Sequence, residues 1–180
     1  MTVKETPLKL TPRQREGRAV NAIADLLRRT LSVPNIYLDP PAALISADVL
    51  AVDRGGSGDL HAVEIKLFGS KSKSLIGPRT RLLEMVRSAH GLMSMPAHFR
   101  YLAVPAADLE ALGGNLHQLG LYADDGIGRL GIAAITERGS DSPTAEVVFT
   151  PERFRVDPAK LKAIETKLLA KSRPDIEVRV

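Results

Sequence analysis

The sequence predicts an α/β domain in which a mixed β-sheet carries helices on both faces. Three observations lead there. Helical periodicity recurs near the start, middle and end of the chain, while two runs, Leu44–Asp53 and Leu60–Phe68, are apolar on both faces, as covered central strands are. The length of 180 residues, 44% hydrophobic and 26% charged, has the balance of one globular domain. No internal repeat or low-complexity tract interrupts it.

The first helix is expected over residues 12–31. Thr11 and Gln14 have capping-box spacing, Pro12 stands where a first-turn proline is tolerated, and Val20, Ile23, Leu27 and Leu31 form one apolar stripe. Pro34 ends it, Asn35–Asp39 reads as a short strand, and Pro40 and Pro41 stop that strand. The two strong strands follow, joined by the loop RGGSG. A second helix is expected from Pro78 to about Met93, with Leu82, Val86, Ala89 and Met93 as its stripe. Phe99–Val104 is a strand, and Ala107–Leu119 a helix weakened by Gly113 and Gly114. Gly131–Thr136 and Ala145–Thr150 read as paired strands. A last helix begins at Asp157-Pro158 and turns Leu161, Ile164 and Leu168 inward.

Composition removes several function classes. Without cysteine there are no disulfides, thiolate zinc sites or cysteine nucleophiles. No apolar run approaches the roughly 20 residues that cross a bilayer, so no membrane association is expected. The opening MTVKETPLKLTPRQREG is too polar for a secretory signal, which makes the cytoplasm the expected location. A net charge of +4 leans toward anionic partners, while 4% aromatic residues supply no stacking platform for single strands.

Polar residues inside the two apolar strands need a reason. Glu64-Ile65-Lys66 places a carboxylate and an ammonium two residues apart, hence on one strand face. Centring the hairpin loop on Gly56 sets Asp48 opposite Glu64, with β-carbons roughly 5 Å apart. Two like charges so close repel, and a divalent cation between them resolves the repulsion; oxygen ligands suit magnesium or manganese. Glu16, four residues before Val20 on the inward stripe of the first helix, adds a third acid aimed at the sheet.

Asp48 on one strand and Glu64-x-Lys66 on the next, flanked by helices, resembles the PD-(D/E)xK nuclease superfamily. The likeness spans about Arg13 to Val104. It implies a restriction-endonuclease-like three-layer α/β/α fold: an α-β-β-β-α-β core over about 12–104, with residues 105–180 adding strands and a covering helix to a single domain. It implies a metal-dependent nuclease acting on nucleic acid, DNA first, in which Asp48 and Glu64 ligate Mg2+ or Mn2+. Lys66 would then support the attacking water, and Glu16 would match the acid many members carry on the first helix. Ala47 replaces the name-giving proline, and no glutamine lies between Pro78 and Met93, where many members carry one. A homodimer or larger complex is compatible with this reading.

The alternatives are a catalytically silent member of the same fold that binds nucleic acid or protein, a structural subunit of an assembly, or a buried Glu–Lys pair that merely closes the sheet. Glu165-Thr166-Lys167 repeats the triplet, but on a helix residues two apart share no face, so it reads as surface charge. Lys71, Lys73, Arg79 and Arg81 lie in an acid-free segment that would flank the site and hold a phosphate backbone; a flexible basic loop is the plain alternative. Gly126-Ile127-Gly128-Arg129-Leu130-Gly131 matches G-x-G-x-x-G, yet a strand follows where a dinucleotide site needs a helix. His61, His90, His98 and His117 show no metal-ligand spacing; His61 belongs to the face opposite Glu64, and His90 is within reach of the site.

Overall fold

A computed structural model describes residues 10–33, 35–38, 40, 47–53, 57–67, 77–113, 129–137 and 142–171. Helix α1 (Pro12–Asp25) starts at the expected capping box: the Thr11 hydroxyl accepts the Gln14 N–H, and the Gln14 carboxamide accepts the Thr11 N–H at 2.9 Å. Its continuation, Leu26–Thr30, widens into a π turn closed by Leu31 N–H donating to the Leu26 carbonyl. Both Leu26 and Leu27 are buried in this turn.

Among the described residues six strands form one sheet whose spatial order is the chain order: β1 (Asn35–Leu38), β2 (Val49–Val52), β3 (Leu60–Ile65), β4 (Phe99–Pro105), β5 (Gly131–Thr136) and β6 (Thr144–Phe149). The first three are mutually antiparallel, β3, β4 and β5 run parallel, and β6 returns antiparallel. Helix α2 (Pro78–Met93) links β3 to β4, α3 (Ala106–Leu112) follows β4, and α4 (Pro158–Lys171) follows β6.

Alternation along the strands divides the core. Leu50, Ala62, Leu102, Val104 and Ile132 pack with Met85, Ala89 and Leu92 of α2, Leu109 of α3, and Ile164 and Leu168 of α4. Val49, Ala51, Val63, Ala103 and Ile135 face the other way, against Ala19, Ile23 and Leu27. The architecture is therefore mixed α/β, with the four α-helices of the described residues distributed over both sheet faces. No helix among the described residues is long and apolar enough to cross a membrane.

Several elements differ from expectation. The strands around the predicted site are shorter: β2 begins at Val49 and β3 ends at Ile65, so Asp48 and Lys66 stand just outside the ladder. Residues 41–46 and Phe68 lie outside the described residues, as does Asp39 at the end of β1. Helix α3 stops at Leu112, before Gly113, whose φ is +50°. The buried stripe of α2 is Met85, Ser88, Ala89 and Leu92, with the expected Leu82, Val86 and Met93 on its flanks. Gly131 is required by close approach, because a Cβ there would meet Tyr101 Cδ1 at 2.6 Å.

Candidate functional site

The hairpin that builds the site is held by its turn. Gly58, at φ +72°, donates its N–H to the Asp53 carbonyl at 2.8 Å, and Asp53 N–H donates to the Asp59 carbonyl at 3.0 Å. The register that follows pairs Val49 with Val63 and Leu50 with Ala62. One step beyond, the ladder changes character. Asp48 N–H donates to the Val63 carbonyl at 2.9 Å, and the Asp48 carboxylate accepts the Ile65 N–H through Oδ2 at 2.5 Å. Asp48 therefore closes the open end of the hairpin with its side chain.

This end of β3 is also its C-terminal end. The parallel partners β4 and β5 finish at the same side, where α/β sheets place their ligands. Glu64 is partly buried and shares its sheet face with Ala62, toward α2. Burial pushes its pKa above the usual carboxylate range, and the Asp48 charge adds to the rise. A hydrogen bond with the Ser88 hydroxyl and the charge of Lys66 pull it back. Asp48, Glu64, Lys66 and Ser88 thus form one interacting group. Ser88 escaped the sequence reading because its neighbours Met85, Ala89 and Leu92 mark it only as a buried helix position. A hydroxyl on that stripe is the signal that pointed to it.

Lys66 lies beyond the strand end, not within it. Its N–H continues the parallel pairing by donating to the Ala103 carbonyl at 2.8 Å. With Ile65 and Leu67 it lines a cleft of about 310 Å3, completed by Leu10, Pro12, Arg15 and Glu16 around the start of α1. The Arg15 guanidinium is 3.3 Å from Glu137, just after β5, which ties this helix end to the strand ends.

Glu16 shares the cleft with Lys66 but is exposed. The helix buries Ala19, Ile23 and Ala24 on the sheet face opposite the one that Glu64 shares with Ala62, and Glu16, one turn earlier, stays exposed. Among the described residues no three acids or histidines gather as a cation cage, so the expected three-acid cluster is not assembled. The acids to consider for a cation are Asp48 and Glu64. Two carboxylates, one with its ionisation opposed by the other, fit a hydrated magnesium or manganese ion that keeps several waters.

The expected phosphate contacts separate. Arg81 is engaged: its guanidinium meets the Asp108 carboxylate at 2.5 Å, with both side chains largely buried, and so ties α2 to α3. That corrects the expectation of a phosphate-binding Arg81. Arg79 belongs to α2, but its side chain lies outside the described residues, as do Lys71 and Lys73. Of the histidines, His90 is exposed on α2 and His117 is outside the described residues. Gly126 and Gly128 are outside them too, while Gly131 opens a strand. The second triplet, Glu165-Thr166-Lys167, lies on α4 with Lys167 exposed.

A second polar group, not anticipated from sequence, sits at the opposite end of β3. Arg153 donates twice to one oxygen of buried Asp59, at 2.7 and 3.0 Å, and the Ser57 hydroxyl lies 2.5 Å from the other oxygen. Burial raises the Asp59 pKa, but these hydrogen bonds outweigh it and hold the carboxyl below its ordinary range. His98 Nδ1 accepts the Leu60 N–H at 3.0 Å, which makes that imidazole neutral despite the Asp59 carboxylate 3.4 Å away; burial lowers its pKa.

No protein-family model matches this chain, and no curated protein does. Among solved structures, a protein of unknown function from Silicibacter pomeroyi aligns over 91% of this chain and 87% of its own, at 17% identity and a TM-score of 0.53. At that identity the likeness concerns the fold alone: this chain shares a mixed α/β architecture with the Silicibacter protein.

Proposed function

We propose that the chain is a divalent-cation-dependent phosphodiesterase acting on nucleic acid, DNA first, in the restriction-endonuclease-like version of its α/β fold. One observation carries the proposal: Glu64 is placed at the carboxyl edge of the parallel strands among Asp48, Lys66 and Ser88, although burial and Asp48 both oppose its charge. A structural position has little reason to keep two carboxylates in mutual repulsion.

Asp48 and Glu64 would hold the Mg2+ or Mn2+, which when bound polarises a phosphate and acidifies a water. The chain's own residues do the rest. Ser88 holds the Glu64 carboxylate in place, and the Asp48 bond to Ile65 N–H fixes that side chain to the hairpin end. Lys66, in the cleft, meets the phosphate and offsets the charge that builds on it during attack. Lys71, Lys73 and Arg79 are proposed as contacts to the flanking phosphates.

Nicking of supercoiled DNA with magnesium or manganese tests the reading. Activity should vanish on chelation and in Glu64→Gln. Lys66→Ala should lose cutting while retaining manganese binding by calorimetry, because the ammonium is no ligand. A folded protein inert on single- and double-stranded DNA and RNA, and blind to manganese, refutes it. The silent binding module is the second reading, favoured by Asp48 accepting a main-chain N–H and Glu64 a hydroxyl, since both acids have roles within the fold. It predicts nucleic-acid retention without cutting, unchanged by Glu64→Gln.

A further inference from the structure

We infer that the cleft beside Lys66 holds one unpaired nucleotide of the substrate, so that single-stranded or frayed nucleic acid is preferred over intact duplex. The inference rests on the phosphodiesterase reading and names its substrate class. Size is the first argument. About 310 Å3 lies at the small end of ligand pockets, enough for one nucleotide and far too small for a base pair with its stacked neighbours.

The lining is the second. Leu10, Pro12, Ile65 and Leu67 offer apolar surface to the faces of a base, while Lys66 and Arg15 offer positive charge to a phosphate. Glu16, the one acid among the described lining residues, provides an acceptor for exocyclic amines. Arg15 also holds Glu137 at 3.3 Å, so Lys66 is the main phosphate contact and Arg15 a fixed second charge. Position is the third argument. Ile65 and Leu67 pack on the α1 side of the sheet and Glu64 lies on the α2 side. Lys66, just past the strand end, is the residue common to both: its charge acts on Glu64 and it lines the cleft. A phosphate held by Lys66 therefore has the two acids on one side and the nucleoside cleft on the other. A base in a duplex must first leave its stack and its pairing partner to enter, whereas an unpaired base enters with little loss.

The first test needs no variant and no catalysis. Thymidine 5′-monophosphate is titrated into the wild-type protein while the methyl resonances of Leu10, Ile65 and Leu67 are followed by NMR. Those signals should move together, and their remaining still overturns the inference. Next, binding of a 12-nucleotide single strand, as DNA and as RNA, is compared with the matched blunt duplex in calcium. Wild type should favour the single strands, and Leu10→Trp, which fills the cleft from the residue before the helix cap, should weaken single-strand binding about tenfold. Equal single-strand affinity in a folded Leu10→Trp protein, or preference for the duplex, overturns it. A difference between the DNA and RNA arms reports whether the sugar is read. Cutting with silent cleft methyls leaves the phosphodiesterase and removes this inference; moving methyls without cutting does the reverse.

Discussion

Acid should unfold this protein through His61 before most carboxylates protonate, and His61→Phe should remove much of that sensitivity. His61 lies on β3 with only 7% of its surface exposed. Its ring stacks on Phe99, with centroids 4.7 Å apart, and on Tyr101 at 6.0 Å. Its Nδ1 is buried and has no hydrogen-bond partner among the described residues. Burial lowers the pKa from 6.5 to about 4; Asp59 and Asp53 oppose the shift and His98 adds to it. The sign follows from linkage. Above about pH 6.5 both states leave the ring neutral. Below that the unfolded chain takes up a proton that the folded chain refuses, so stability falls until about pH 4, where the folded ring also protonates. At roughly 1.4 kcal/mol per unit of pKa, the loss approaches about 3 kcal/mol, a large part of the usual 5–15 kcal/mol total. His98 and Asp59, both shifted downward, act in the same direction, whereas Glu64, shifted upward, gains a little as acid neutralises it. Urea titrations at pH 7, 6, 5 and 4 on wild type and His61→Phe measure the difference. The variant's stability should fall by about 3 kcal/mol less across the series. Parallel pH curves for the two proteins would refute the reasoning.

Three other perturbations have defined outcomes. Ser88→Ala removes the hydroxyl that favours ionised Glu64, so the acid limb of the cleavage pH profile should move to higher pH, with a stability loss of about 1 kcal/mol by urea titration. Gly131→Ala would force a Cβ to 2.6 Å from Tyr101 Cδ1 and 2.9 Å from Pro151 Cδ, and calorimetry should show about 1–3 kcal/mol of destabilisation. Asp108→Ala and Arg81→Met each break a largely buried ion pair and leave the opposite charge behind, so each should destabilise by about 3 kcal/mol, and the double variant by less than the sum. Additive losses in the double variant would mean that the pair contributes only packing.

How much of this was readable beforehand depends on how local each signal is. A run apolar on both faces locates β3, and centring the hairpin on Gly56 leads to the register that the sheet adopts, with Val49 opposite Val63. Thr11 and Gln14 announced the first helix through a contact three residues apart. Signals that depend on distant partners stayed hidden. Arg81 looked like part of a basic surface because Asp108, which captures it, lies 27 residues away. Ser88 shows in sequence only as a hydroxyl on a helix stripe, with nothing to name Glu64 as its partner. The rotation of α2 toward Met85 and Leu92 reflects the sheet beneath it, and periodicity alone tolerated a neighbouring stripe. Glu16 reads from sequence as a third acid of the cluster, but α1 packs on the sheet face opposite the one that Glu64 shares with Ala62, and Glu16 is exposed.

The agreement between strand order and chain order bears on how the molecule assembles. Each new strand can add beside the one just made, although the parallel pairs close long loops, as between His61 and Phe99 or Tyr101 and Gly131. Helix α1 breaks this pattern. It rests on β2 and β5 and also on β6, and its Arg15 meets Glu137 across 122 positions of chain. During synthesis from the N-terminus, α1 is made first, yet its full docking surface is present only after residue 149 has appeared. Asp48, Glu64 and Ser88, by contrast, can come together once α2 packs on the first hairpin. The acidic half of the site is then an early structure, and the cleft formed by the start of α1 is fixed late, once β5 and β6 complete the surface on which that helix docks.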